Sequence, residues 1–347
     1  MGDASASGYP DNPVVVRVLR GGVIESVHRG AWCLVDGDGR VLAGAGDGER
    51  GVHVRSSIKA LQALALLESG AAERFGLEER ELALALASHG GEPDHTALAQ
   101  SVLARLGLGP EHLRCGAHAP FEARARAALA ARGEAPSALH NNCSGKHAGF
   151  LALALHLGDA PERYLEPDSR AQTLVRRTLA ELAGVPERAL VPALDGCSAP
   201  TYRLPLRALA GAFARLTNPD GLAPARRAAA ARLTGLAASH PVLIGGSRGF
   251  LDTELLRASG GRLFPKIGAE AVHALGVVGG GRALALKVDD GGARALPMLV
   301  VGLLEALGLA RAEELARLAE WRAGPLTNVA GLEVGRTEVV VPVPAHA

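Results

Sequence analysis

Residues 14–35 read VVVRVLRGGVIESVHRGAWCLV, and residues 52–70 read VHVRSSIKALQALALLESG. The first stretch holds three short apolar, β-branched runs, Val14–Leu19, Val23–Val27 and Trp32–Val35. Turn signals separate them at Arg20-Gly21-Gly22 and His28-Arg29-Gly30, so it predicts an antiparallel meander. In the second stretch the period changes from two to near 3.6. Ile58, Leu61, Leu64 and Leu66-Leu67 mark a helix that stops at Gly70. Working outward, helical patterns follow at about 79–87, 93–107, 121–132, 144–157, 167–183, 205–217 and 224–238. Strand patterns return at Arg262–Lys266, Val272–Val278 and Ala283–Val288, then helices at 294–307 and 311–322, then a last strand at Thr337–Val341.

Strands, a helical middle, then strands again is not the β-α-β alternation of a doubly wound sheet. The order predicts an α+β fold: a mostly antiparallel sheet built from both chain ends, flanked by helices, with an inserted helical subdomain. The expected organisation is a disordered, frayed tail at 1–12 and a single domain at 13–347. Strands occupy 13–55 and 262–343, and a helical region spans 56–258.

The chain has 347 residues, and hydrophobic residues make up 48% of them, enough for a sizeable core. Lys+Arg is 37 against Asp+Glu 36, and aromatics are 3%, which argues against nucleic acid as a partner. No apolar stretch approaches the ~18 residues of a membrane span, and the first residues lack a secretion pattern. Four widely spaced cysteines make no dense disulfide framework. A cytoplasmic protein is expected.

Several short motifs carry chemistry. Ser56-Ser57-Ile58-Lys59 sits where strand gives way to helix, so Ser56 and Lys59 share one face of the first turn. A lysine held neutral there accepts the proton of a serine nucleophile; the same residues serve plain helix capping equally well. Ser88-His89-Gly90-Gly91 ends an apolar helix, and Lys266 lies near a strand end. Asn141-Asn142-Cys143-Ser144-Gly145-Lys146-His147 precedes a strongly apolar helix, and Asp195-Gly196-Cys197 lies in a Gly/Pro-bounded turn. Cys143 and Cys197 are either buried small hydrophobes or thiolate ligands of a metal. In the second case Lys146 or His147 is a third ligand, and Asp195 a ligand or its partner. Gly46-x-Gly48-x-x-Gly51 imitates a dinucleotide fingerprint, but a strand-like Val52-His53-Val54 follows it, not a helix.

Together these blocks resemble the Rhizobium-type L-asparaginase II family. The resemblance rests on Arg55-Ser56-Ser57-Ile58-Lys59, Ser88–His95, Leu113–Gly116, His140–His147, Asp195–Cys197, Lys266–Glu270 and Leu286–Gly291, in the family's order. It implies a fold like the serine β-lactamases and glutaminases, and hydrolysis of L-asparagine to L-aspartate and ammonia by a homodimer. It also implies Ser-Lys pairs, Ser56 with Lys59 and Ser88 with Lys266, and zinc held by Cys143, Lys146 and Cys197. Arg55, Asp195, His147 and Glu270 support the site. Two departures stand out. Lys266-Ile267-Gly268 lacks the middle hydroxyl of the β-lactamase strand, and Ala271 follows Glu270 where the family usually has Gly.

The expected chemistry is attack by one serine, with its lysine taking the proton and the other pair relaying it to the departing ammonia. Its helix-start position favours Ser56 as nucleophile. Rival readings are another acyl-serine hydrolase, acting on glutamine or a β-lactam, and a non-catalytic zinc protein that kept the fold.

Overall fold

The structure, a computed structural model, describes residues 11–341. Most of the expected tail lies outside the described residues. Asn12 does not fray: it is buried, and its side-chain amide donates to both oxygens of Asp289 at 3.0 and 3.1 Å.

The strands are β1 (Val14–Arg20), β2 (Val23–Asp36), β3 (Val41–Ala45), β4 (Gly51–His53), β5 (Val191–Leu194), β6 (Pro200–Pro205), β7 (Leu263–Gly268), β8 (Val272–Val277), β9 (Arg282–Val288), β10 (Pro325–Thr327) and β11 (Glu333–Val339). The main sheet runs β10-β11-β1-β2-β9-β8-β7, with β3 also paired to β2, and its pairs are antiparallel. Strands from the two chain ends thus meet where β2 pairs β9 and β1 pairs β11. The α+β architecture expected from the element order is the one observed. A second, three-stranded sheet, β4-β6-β5, pairs the end of the first strand region with two strands, β5 and β6, that lie inside the helical part of the sequence. Its middle and last strands are the arms of a hairpin around Asp195-Gly196-Cys197.

The His28-Arg29-Gly30 turn does not form; β2 runs through it for 14 residues. Its first half pairs with β1, and Gly30 to Asp36 pair with β9. Glycine is required at 30 for closeness of packing: a Cβ there would sit 2.5 Å from the Lys287 carbonyl oxygen. The residue that reads as a turn in sequence is where the strand changes partners.

Both faces of the sheet are covered, and alternate residues divide between the two cores. Cys33, Val35, Ala274 and Ala285 join Leu61, Leu64, Phe213 and Phe264 on the helical side. Trp32, Leu34, Leu275 and Leu284 join Leu255, Leu299 and Leu303 on the other. The helices Lys59–Glu68 and Ser144–Leu157 are buried on nearly every side, as helices apolar all round must be. Their N-terminal ends carry Lys59 and Lys146 into the centre of the molecule. Among the described residues no helix is long and apolar enough to cross a membrane.

Candidate functional site

The turn that carries Ser56 is a 3-10 helix, Arg55–Ile58, leading into Lys59–Glu68. Residues i and i+3 eclipse in such a turn, so Ser56 stands over Lys59. Strand β7 lies against this turn. A Cβ on Gly268 would come 2.9 Å from the Val54 oxygen and 3.2 Å from the Ser57 nitrogen, so only glycine lets β7 carry Lys266 in. Ser88 follows the helix Glu79–Ala85, in a loop pinned by its own backbone. Ser88 N–H donates to Ile244 O (3.0 Å) and His89 N–H to Asn142 O (3.2 Å).

Three separate elements therefore converge on one hydroxyl. The Lys59 ammonium nitrogen donates to Ala87 O (2.7 Å), Ser88 Oγ (3.0 Å) and Asn142 O (3.2 Å), which uses the three hydrogens an ammonium has. Lys266 Nζ lies 3.0 Å from the same Ser88 Oγ, 3.2 Å from Ile267 O and 3.4 Å from Asp252 Oδ2. Both lysine side chains are fully buried, and Ser88 is half-buried. Burial pulls Lys266 down to about 8, with Lys59 adding to the fall and Asp252 opposing it. The Ser56 hydroxyl is half-buried and, among the described residues, has no hydrogen-bond partner. The structure thus brings Lys59, Ser88 and Lys266 into one chain; Ser56 lies one turn before Lys59, and among the described residues no hydrogen bond joins its hydroxyl to any of the three.

Asp252 and His273 escaped the sequence reading. Asp252 is buried in the first turn of Leu251–Ser259 and accepts from Ile267 N (2.8 Å), from Lys266 Nζ and from His273 Nε2 (3.0 Å). Burial works to raise its pKa, but Lys266, His273 and the Ile267 N–H outweigh it and hold it at about 2. The sequence patterns predict no individual helix between 238 and 262, although Leu251, Leu255 and Leu256 mark the buried face of one, and Asp252 lies on that buried face. His89 was read only as a turn residue. Its Nδ1 accepts the Gly91 N–H (3.2 Å), and its Nε2 lies 3.0 Å from Ser144 Oγ, which in turn donates to Leu139 O. That pattern fixes a neutral imidazole with its proton on Nε2, as burial also requires.

A second cluster adjoins the first. Lys146 Nζ lies 2.9 Å from Cys197 Sγ, and Cys143 Sγ lies 3.4 Å from Asn142 Oδ1. Cys143 is driven toward thiolate by the Cys197 thiol, against burial, with Lys59 and Lys146 helping. Burial works to lower Lys146, but the two sulfurs and Asp195 outweigh it and raise it. Two sulfurs and one amine around one point suit a zinc ion, which would replace the protons on Cys197 and Lys146. Lys146 is indispensable to that set. Among the described residues, no three His, Cys, Asp or Glu side chains are placed to hold a metal. Cys33 and Cys115 lie apart as buried thiols, raised by burial to about 12 and about 11.

Of the supporting residues, Arg55 and Asp195 meet: Arg55 Nε donates to Asp195 Oδ1 at 2.6 Å, as does Gly196 N–H at 2.7 Å. Arg55 adopts φ +49°, a strained left-handed conformation immediately before Ser56. His147 turns to Tyr164, whose hydroxyl donates to Nδ1 (2.7 Å) while accepting the Arg114 N–H (2.8 Å). Its Nε2 is buried and has no partner among the described residues. Glu270 lies at φ +59° and Ala271 at φ +53°. Glu270 lines two cavities. One, of about 560 Å³, also holds Arg50, Arg55, Arg203 and Lys287. The other, of about 320 Å³, holds Ser88.

Fold and site together define an α+β protein with a buried Lys-Ser-Lys centre beside a Cys-Cys-Lys cluster. The chain belongs to the L-asparaginase II family, whose model matches residues 16–339. No curated protein matches it. Among solved structures, Mglu in its native form aligns with a TM-score of 0.45 at 12% identity, over 81% of this chain and 64% of that one. Mglu in 4.3 M NaCl aligns with a TM-score of 0.46 at 13% identity, over 81% and 60%. A β-lactamase from Mycobacterium bovis aligns with a TM-score of 0.37 at 14% identity, over 84% and 94%. The chain spans about three fifths of the Mglu chains it matches.

Proposed function

We propose that this protein hydrolyses L-asparagine to L-aspartate and ammonia through an acyl-enzyme on Ser56. The observation that carries the reading is the unbroken chain Lys59 Nζ–Ser88 Oγ–Lys266 Nζ, 3.0 Å on each side, one turn beyond Ser56, whose hydroxyl has no hydrogen-bond partner among the described residues. Family membership supplies the substrate.

The chain suits a proton shift. Lys266, poised near 8, keeps its N–H bonds on Asp252 and Ile267 O and offers a lone pair to Ser88. Ser88 hands its proton to Lys266 and takes one from Lys59. The neutral Lys59 then accepts the Ser56 proton as Ser56 Oγ bonds to the amide carbon. Ser88 then gives its proton to the departing nitrogen and recovers one from Lys266, which returns Lys266 to its neutral form, and water cleaves the ester. Orphan N–H groups of the uncapped Arg55–Ile58 turn stabilise the oxyanion. Arg55 meets the substrate's α-carboxylate, and Glu270 with Asp195 meets its ammonium group. Cys143, Lys146 and Cys197 would hold zinc, which when bound supplies a Lewis-acidic positive centre beside Asp195. The active form is proposed to be a cytoplasmic homodimer, as the family resemblance implies, and sedimentation tests the stoichiometry.

The test is ammonia release from asparagine by the wild type, Ser56→Ala and Ser88→Ala, with mass spectrometry of the quenched enzyme. Expected are no acylation in Ser56→Ala, and in Ser88→Ala a rate reduced by about 10²–10⁴-fold, the usual worth of a positioned proton carrier. Full activity in both variants, or an acyl group on any residue other than Ser56, defeats the reading.

A further inference from the structure

The cavity of about 320 Å³ at Ser88 is far larger than the leaving group of asparagine requires. Ammonia is the size of one water molecule, which occupies roughly 30 Å³ in the liquid. The surplus space is also of the wrong character for ammonia. Apart from Ser88, Asp252 and Glu270, its walls are glycines, alanines and the apolar side chains of Phe250, Leu251, Ile267, Leu296, Pro297 and Trp321. The arginines gather instead in the neighbouring cavity with Arg55, and the two spaces meet at Glu270. The centre is therefore bipartite: cations on one side, where the amino-acid end of a substrate is held, and an apolar chamber on the side of the hydroxyl that returns the proton.

The atom that receives a proton from Ser88 is the nitrogen of the scissile amide. Whatever that nitrogen carries must lie in the chamber that Ser88 lines. We infer that the enzyme also cleaves secondary amides of the aspartate β-carboxyl group whose nitrogen bears an aryl or alkyl substituent, releasing the amine. The inference rests on the reaction proposed above and extends it to a class of substrate. The bonds are the same. Ser56 Oγ bonds to the β-carbonyl carbon and the C–N bond breaks. Lys59 takes the Ser56 proton, Ser88 gives its own to the amine nitrogen and recovers one from Lys266, and one water then splits the ester to give aspartate and restore Ser56.

The probe is L-aspartic acid β-(4-nitroanilide), with 4-nitroaniline followed by absorbance and ammonia from L-asparagine followed in parallel. The expected result is turnover of both, and loss of both in Ser56→Ala. Two variants address the chamber. Ala293→Trp, at the exposed rim, fills it. Trp321→Ala, half-buried in its wall, removes the largest aromatic face. Each is expected to lower kcat/KM for the anilide at least tenfold while leaving that for asparagine within about twofold. If asparagine is hydrolysed but the anilide gives no nitroaniline, the inference falls and the asparaginase reading stands, even where the anilide inhibits. If both variants change the two substrates equally, the chamber is not the amine site and the inference likewise falls. If neither substrate is turned over, both readings fall.

Discussion

Replacing Asp252 with asparagine should move the pH dependence of catalysis, not merely weaken it. Asp252 is held near 2 from a usual 3.8, a depression of just under 2 units. At ~1.36 kcal/mol per unit that is about 2 kcal/mol of stability. It is fully present above 3.8 and is lost as pH falls through about 2. Lys266 works the other way. Its pKa falls from 10.5 to about 8, which opposes folding by about 3 kcal/mol below pH 8, and the penalty disappears between 8 and 10.5. Removing the carboxylate forfeits its own contribution and takes away the attraction that keeps Lys266 as high as 8. At pH 7 a pKa near 8 leaves about one Lys266 in ten neutral and able to accept from Ser88. The wild type should therefore gain roughly tenfold in kcat/KM between pH 7 and a plateau above 9, with a midpoint near 8. In Asp252→Asn the midpoint should fall by a unit or more. The plateau should drop too, because Lys266 loses the acceptor that aims it. The measurement is ammonia release from asparagine across pH 5.5–10, with the fold checked by circular dichroism at each end. A lower plateau with an unmoved midpoint would refute the argument, leaving Asp252 a packing residue; so would a midpoint that rises.

Three further perturbations probe the surrounding structure. Ala271 at φ +53° carries a methyl group in a conformation that costs a non-glycine residue about 1 kcal/mol, so Ala271→Gly should raise the urea midpoint by a matching amount without loss of activity. Gly291 should behave in the opposite sense: it lies at φ +70°, and a Cβ there would fall 2.5 Å from Glu270 Oε2, so Gly291→Ala should cost at least 1 kcal/mol and weaken asparagine binding by displacing Glu270. Protein purified with zinc present should retain about one ion per chain by elemental analysis, and Cys197→Ser should lose it; equal retention by the variant would remove Cys197 from the ligand set.

The sheet was legible because period-two runs at both chain ends need each other: neither end supplies enough strands to cover two apolar cores. What misled was Gly30, whose absent side chain signals a tight crossing with β9 and a turn in the same way. The Ser-Lys motifs were legible as residues but not as partners. The spacing of Ser56 and Lys59 predicts a pair, yet the amine of Lys59 reaches across 29 residues to Ser88, because the helix Lys59–Glu68 is buried and its first turn faces the loop after Glu79–Ala85. Spacing reports which residues share a face. It does not report which neighbour that face meets.

The same limit explains why Asp252 was invisible and why its role follows once the fold is known. A buried lysine beside a second buried lysine is tolerable only if something offsets the repulsion, and no residue near Lys266 in sequence can do so. Strand β7 and the helix Leu251–Ser259 are joined by only a few residues, so the carboxylate arrives from the preceding element, 14 positions back, and also takes the Ile267 N–H at 2.8 Å. One group thereby fixes the strand end and the charge of the lysine on it. The missing hydroxyl of Lys266-Ile267-Gly268 fits that arrangement. With Asp252 on the backbone N–H of Ile267, the residue at 267 contributes to the charge balance through its main chain, and its side chain is free to be an apolar wall of the cavity at Ser88.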